Sequence, residues 1–137
     1  MARTYDPSIL PNADVRSEAW ALAWVRATLR DVPNDAGVYP EGSYEDEEIL
    51  GALALHSATA PDGARLYAPH VAAAAMIESD PRRVASFGMA GLTGTLPNAR
   101  EVAAAIIRNG MVIDAMIAEA GGVPPRPGRS RVVPTLW

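Results

Sequence analysis

The sequence predicts a mainly α-helical fold, a small bundle of about four helices with an extended arm at each end. Apolar residues recur at helical spacing in four segments, which indicates helices that each bury one face. Residues that stop helices separate these segments, at Pro33, at Asp80-Pro81 and at Gly121-Gly122. A short glycine-containing stretch between the third and fourth helices is predicted to be extended or to form a β-hairpin.

Composition narrows the class of protein. The chain has 137 residues, a net charge of −4 and no cysteine. This length favours one domain, and the lack of cysteine excludes disulfides, thiolate metal sites and cysteine nucleophiles within it. No charge-free apolar run is long enough for a transmembrane helix, and the first residues lack the apolar core of a signal peptide, so an intracellular origin is expected. The negative charge disfavours non-specific binding to nucleic acid.

The first helix follows an N-terminal arm, residues 1–13, which contains two prolines and shows no period. From Asp14 the sequence "DVRSEAWALAWVRATLRD" is typical of a helix. Its apolar stripe is predicted to pack in the core, and a role as an interface face is the alternative. The stripe comprises Trp20, Leu22, Ala23, Ala27 and Trp24.

The second helix is predicted to begin after a loop rich in proline and glycine. Ser43 and Asp46 have the spacing of a capping box, and four consecutive acidic residues, 45–48, suit the positive end of the helix dipole. A metal site is the alternative for these carboxylates, but they point around the helix and no histidine stands at ligand spacing. The residues expected to be buried are Ile49, Leu50, Leu53 and Leu55.

The third helix is predicted to start at Pro69, after "ATAPDG" as a turn, and to end at Asp80-Pro81. Its alanines indicate close approach between helices. The glycine strip, residues 84–97, contains three glycines in seven residues and follows this helix.

A long final helix is predicted to follow the strip, capped by Asn98 and mildly broken at Gly110. Gly121-Gly122 is expected to end this helix. The residues placed on its apolar face are Val102, Ile106, Met111, Ile113 and Ile117.

These elements divide the chain into the N-terminal arm, a helical domain at residues 14–122 and a C-terminal arm at residues 123–137. The C-terminal arm has four prolines and three arginines in 15 residues, yet it ends in the apolar "VVPTLW". We therefore expect it to be extended and to dock on a neighbouring chain. The candidate interface residues, from the glycine strip and this arm, are Phe87, Met89, Leu92, Val132, Val133, Leu136 and Trp137.

Signals for catalysis are sparse. His56 and His70 lie near helix ends without the neighbours of a triad or a metal site, so a structural or surface role is the interpretation for each. The glycine strip has no lysine after it and follows no clear strand, which argues against a phosphate-binding loop. The sequence thus predicts a protein that is not an enzyme, with no catalytic, cofactor-binding or metal-binding residues and no cofactor.

The order of the segments resembles one protein family. "WVRATLRDVP", a polar loop, "YEDEEILGAL", "LYAPHVAAAAMIES", "RRVASFGMAGLTGTL" and a closing alanine-rich helix are similar in sequence order to head–tail connector (adaptor, or head-completion) proteins of long-tailed bacteriophages. The resemblance covers about residues 20–120, and both arms depart from it. Each motif is weak alone, so their order carries the resemblance.

This resemblance implies a structural protein of the virion neck. The expected form is a homo-oligomeric ring, usually of twelve subunits, between the portal protein and a tail, stopper or terminator protein. Genomic DNA would pass through its channel without sequence-specific binding, no membrane would be involved, and assembly would take place in the host cytoplasm. The alternatives are another neck or tail component, such as a terminator or stopper, and a small intracellular enzyme or regulatory protein.

Overall fold

The computed structural model describes residues 2–80 and 99–126, and the predicted mainly helical class is confirmed. Five α-helices and one two-stranded sheet make up the regular structure of this described part. Their bounds are α1 Glu18–Leu29, α2 Asp46–Leu55, β1 Ser57–Thr59, β2 Arg65–Tyr67, α3 Pro69–Ser79, α4 Ala99–Asn109 and α5 Met111–Glu119.

Helix α3 lies at the centre of the bundle and packs against α1, α2 and α4. Three successive alanines, Ala72 to Ala74, are fully buried, and small side chains allow the backbones of neighbouring helices to approach closely. Large aliphatic side chains from the surrounding helices fill the space around them, among them Leu29, Ile49, Leu53, Ile113 and Ile117.

Helix α1 starts at Glu18, four residues after Asp14, the earliest residue expected. Residues 14–17 form a turn in which the Asp14 carboxylate accepts from the Arg16 backbone N–H, and Ser17 caps the helix by accepting from the N–H of Trp20. The helix ends at Arg30, whose φ of 59° lies in the left-handed region. Trp20 is buried, whereas Trp24 and Ala27 are half-buried.

Helix α2 is capped differently from the prediction. Glu45 is the N-cap, and Glu45 with Glu48 forms the capping box; Ser43 instead accepts a hydrogen bond from Arg3 Nε. The predicted burial of Leu55 is wrong, because its side chain is 77% exposed at the last residue of the helix.

A β-hairpin lies between α2 and α3, where the sequence predicted only turns. Its two three-residue strands pair antiparallel, with Ala58 opposite Leu66. The N–H of Tyr67 donates to the carbonyl of Val15 at 2.7 Å, and the Tyr67 hydroxyl donates to Glu18, so the hairpin is tied to the start of α1. The glycine strip, residues 84–97, for which an extended or β-hairpin structure was predicted, lies outside the described residues.

Helix α3 has the predicted ends, with Pro69 at its first turn and Asp80 as C-cap. The predicted long final helix is instead two helices, α4 and α5, divided at Gly110. Met111 is exposed rather than on the apolar face, because the division turns it outward. The predicted cap Asn98 lies outside the described residues.

The end of α5 confirms the glycine stop. Gly121 has φ of 90°, its N–H donates to Ala118 O, and the N–H of Gly122 donates to Ile117 O, both at 3.0 Å. This is the Schellman arrangement, which needs a left-handed residue and so favours glycine.

Candidate functional site

A fully buried arginine, Arg26, is the centre of the largest polar cluster among the described residues. Its Nη1 donates to Asp31 Oδ2 and its Nη2 to Asp46 Oδ1, both at 2.8 Å, and its Nε donates to Thr4 O at 2.9 Å. The Tyr39 ring lies over the guanidinium, 5.3 Å from Cζ to the ring centroid. Each of the three guanidinium nitrogens therefore donates to an oxygen acceptor, as a buried charge requires.

Four separate parts of the chain supply this Arg26 cluster. Arg26 stands in the last turn of α1, and the left-handed Arg30 turns the chain so that Asp31 comes back beside it. Asp46 is the first residue of α2. Asp31 also accepts the backbone N–H of Tyr44 at 2.9 Å, which fixes the loop that leads into α2.

The N-terminal arm completes the cluster. Besides the Thr4 carbonyl, its Thr4 N–H donates to Asp46 Oδ1 and its Ala2 carbonyl accepts from the N–H of Asp46, both at 2.8 Å. The Tyr39 hydroxyl donates to Arg3 O at 3.3 Å. The arm, expected to be merely extended, thus lies against the start of α2, and a short 3-10 turn at Pro7–Ile9 interrupts it.

The electrostatics of the cluster favour a permanent ion pair. Burial opposes ionisation of Asp46, but the hydrogen bonds from Arg26 and Thr4 outweigh it, so the pKa of Asp46 lies below its ordinary value. Burial likewise raises the pKa of Tyr39 and keeps its hydroxyl protonated. Since arginine stays charged at all ordinary pH, the arrangement is suited to holding the arm rather than to proton transfer.

A second polar pair joins α3 to α5. His70 is fully buried and its Nε2 lies 2.8 Å from Asp114 Oδ1, a half-exposed carboxylate. Within residues 2–80 and 99–126, the buried Nδ1 of His70 has no hydrogen-bond partner. Burial lowers the pKa of His70, and the hydrogen bond and charge of Asp114 only partly oppose this. The pair is therefore a neutral imidazole that donates from Nε2 to a carboxylate.

Gly110 makes room for this histidine at the junction of α4 and α5. A Cβ at residue 110 would overlap the Cβ and Cγ of His70. The ring thus occupies the notch left by the glycine. A substrate would have no route to a ring so enclosed, so the chemistry that this pair supports is positioning of α5 against α3.

A groove of about 350 Å³ opens at the ends of α2 and α3. Leu55 and His56 border it on one side, and the last turn of α3 borders it on the other, with Met76, Glu78 and Ser79. Two alanines, Ala52 and Ala75, complete its lining. The lining is mainly apolar, with one exposed carboxylate at the rim, and we call this feature the α2–α3 groove.

Other exposed large apolar side chains of the described part lie outside the groove. Met111 and Val112 are adjacent at the start of α5 and are each about two-thirds exposed. Val38 in the loop before α2 and Val123 after α5 are also exposed. Single exposed apolar residues are common, so within the described residues the adjacent pair and the groove stand out as apolar patches.

The residues predicted as an interface cannot be placed. Phe87, Met89, Leu92, Val132, Val133, Leu136 and Trp137 all lie outside the described residues. His56 borders the α2–α3 groove, and His70 is buried as a structural residue. Sequence reasoning missed the Arg26 cluster and the His70–Asp114 pair, whose members are 20 to 44 residues apart or lie in different elements.

The acidic run at the start of α2 is explained by capping and by Arg26. In the described ranges, no three acidic, histidine or cysteine side chains come together as metal ligands would. None of the helices described here has the length and apolarity needed to span a bilayer.

Comparison of the chain with protein-family models, with curated proteins and with solved structures yields no significant match to any of them.

Proposed function

We propose that this chain is a head–tail connector of a long-tailed bacteriophage, a non-enzymatic protein that assembles with copies of itself into a ring between portal and tail. The observation that carries the proposal is the order of its motifs, from "WVRATLRD" through "YEDEEI" to "LYAPHVAAAAM" and the glycine strip. The mainly helical fold is compatible with this order of motifs.

The contacts between these motifs add support. Arg26, from the first motif, binds Asp46, from the second, and both hold the N-terminal arm through its backbone. Such a cluster fixes the relative positions of α1, α2 and the arm in each subunit. A ring that must fit between two other rings needs subunits of defined shape, which a fixed helical body provides.

Exposed apolar side chains supply surfaces for assembly. The exposed pair Met111 and Val112 and the α2–α3 groove are patches made of different residues of the same subunit. Two different patches suit the head-to-tail contacts of a ring, in which each subunit presents one surface to each neighbour.

The test is the location and copy number of the chain in virions. In the proposed role, antibodies against the chain label the junction of head and tail, and quantitative mass spectrometry of purified virions gives about as many copies as a ring of twelve requires. Deletion of residues 123–137 should leave the far-ultraviolet circular dichroism unchanged and lower the yield of joined particles. Absence of the chain from the neck of virions would overturn the proposal.

A further inference from the structure

We propose that the α2–α3 groove is the docking site for the C-terminal arm of a neighbouring copy of this chain. This inference rests on the proposed ring and goes beyond it, because it identifies the acceptor surface for the arm. The observation that opens it is the groove itself, which is apolar, about 350 Å³ in volume and bordered by the exposed Leu55.

The chemistry of the arm fits this acceptor. Its last residues include Val132, Val133, Leu136 and Trp137, and two arginines, Arg129 and Arg131, precede them. The apolar residues match the lining of alanine, leucine and methionine, and aromatic anchors are typical of docking contacts in such pockets. The exposed carboxylate of Glu78 at the rim complements the arginines.

The starting point of the arm also favours the groove. The chain turns at Gly121-Gly122 against the hairpin, where Gly122 is so close to Leu66, Ile117 and Thr59 O that a Cβ would crowd them. The hairpin begins at Ser57, immediately after His56 of the groove. The arm therefore starts beside the same hairpin that follows the groove residue His56 in the chain.

The length of the C-terminal arm is sufficient for it to reach a neighbouring subunit. The 15 residues of the arm span up to roughly 50 Å when extended, at about 3.3–3.6 Å per residue. A domain of about 100 residues is only about 35 Å across, given its radius of gyration of about 13 Å. A fully extended arm of this length would exceed the diameter of its own domain, which is the reach that docking on a neighbouring subunit requires.

The first part of the test measures docking directly. A fluorescent peptide of residues 123–137 is added to the chain that lacks those residues, and binding is followed by anisotropy. We expect saturable binding that Leu55→Arg weakens at least about tenfold, since the substitution removes the apolar border and repels Arg129 and Arg131. Leu55 is exposed and a cation suits a helix C-terminus, so this variant keeps its fold, which circular dichroism verifies.

The matched control is Val38→Arg, an exposed apolar residue that does not line the groove, and it should leave peptide affinity unchanged. Glu78→Arg should weaken binding, and a peptide with Arg129 and Arg131 replaced by Glu should recover affinity for that variant. No binding of the peptide, or equal binding by Leu55→Arg, would overturn the docking site.

The second part separates a neighbour's arm from the subunit's own. Light scattering of the full chain should show self-association that both Leu55→Arg and deletion of residues 123–137 reduce. A full chain that stays monomeric while the peptide binds the truncated one would mean that each arm fills its own groove, and would overturn the proposal. If docking holds but the chain is absent from virion necks, the proposed function fails and the docking site remains.

Discussion

Arg26 and Asp31 form an ion pair at 2.8 Å in which both side chains are completely removed from solvent. A pair of this kind contributes little net stability against an apolar replacement, but removal of one member leaves the other charge buried without its partner. The surface pair of Arg16 and Asp62, at 3.3 Å and with both side chains largely exposed, has no such penalty. The two pairs therefore serve as probe and control.

Asp31→Ala should destabilise the fold by about 3–5 kcal/mol, because it leaves Arg26 Nη1 and the N–H of Tyr44 buried without their acceptor and leaves Asp46 as the one carboxylate beside the buried guanidinium. Arg16→Ala should cost at most about 1 kcal/mol. Urea denaturation followed by circular dichroism measures both. A loss below 1 kcal/mol for Asp31→Ala would show that water reaches Arg26 and that the cluster is not sealed.

The N-terminal arm and Arg26 should be energetically coupled. Deletion of residues 1–5 removes the Thr4 carbonyl from Arg26 Nε and the Thr4 N–H from Asp46, so it should destabilise the intact chain. The same deletion in an Arg26→Met background should cost less, by about 0.5–3 kcal/mol, since no buried guanidinium is left for the Thr4 carbonyl to satisfy. Equal costs in both backgrounds, in the same urea assay, would mean that the arm acts independently of the cluster.

Two glycine substitutions should have opposite effects. Gly110→Ala should destabilise the chain by about 1–3 kcal/mol, because the added methyl overlaps His70. Gly51→Ala, within α2 and with open space around its Cα, should stabilise it by about 0.5–1 kcal/mol. Thermal unfolding of the two variants and of the unsubstituted chain measures both changes in stability. A neutral Gly110→Ala would show that the junction of α4 and α5 moves apart readily.

The His70 ring should titrate below the ordinary histidine pKa of about 6.5, since burial outweighs its contact with Asp114. With the folded-state pKa depressed, the unfolded chain binds the proton more readily. Stability is then fully present above pH 6.5 and falls as the pH drops through the folded pKa. Nuclear magnetic resonance of the ring protons gives the pKa directly.

Asp114→Asn should move the His70 pKa further down, because it removes the carboxylate charge that favours the imidazolium. His70→Gln should flatten the decline of stability between pH 7 and pH 5. A measured pKa above 6.5 would contradict this account and would show that the ion pair with Asp114 dominates over burial.

Local signals predicted the elements that local chemistry determines. The position of Pro69 at the start of α3 was predictable because the ring of proline fixes φ at a helical value. The position of Gly121 after α5 was predictable because glycine adopts positive φ freely. Both are properties of single residues. The hairpin was missed because strands of three residues carry almost no periodicity. Gly110 was read as a mild break within one helix, since nothing in its neighbours indicates that His70, 40 residues earlier, fills the space beside it.

The Arg26 cluster and the His70–Asp114 pair could not be predicted from local sequence signals, because their members are distant in the chain. Nothing in the sequence around Arg26 indicates that it is buried, and only tertiary packing places Asp46 and Thr4 beside it. Pairing of Asp114 with His70 is likewise a contact across 44 residues. The seven interface residues remain predictions.

Thr4 and Asp46, which are in contact, are 42 positions apart in the chain, so the ribosome makes them at clearly different times. At the usual 5–20 residues per second, the ribosome makes Thr4 about 2–8 seconds before Asp46. Arg26 is made within that interval, while one of its two carboxylate partners does not yet exist. The guanidinium must therefore keep its water until the start of α2 emerges. Burial of this charge with both of its carboxylate partners is therefore possible only after Asp46 has been made.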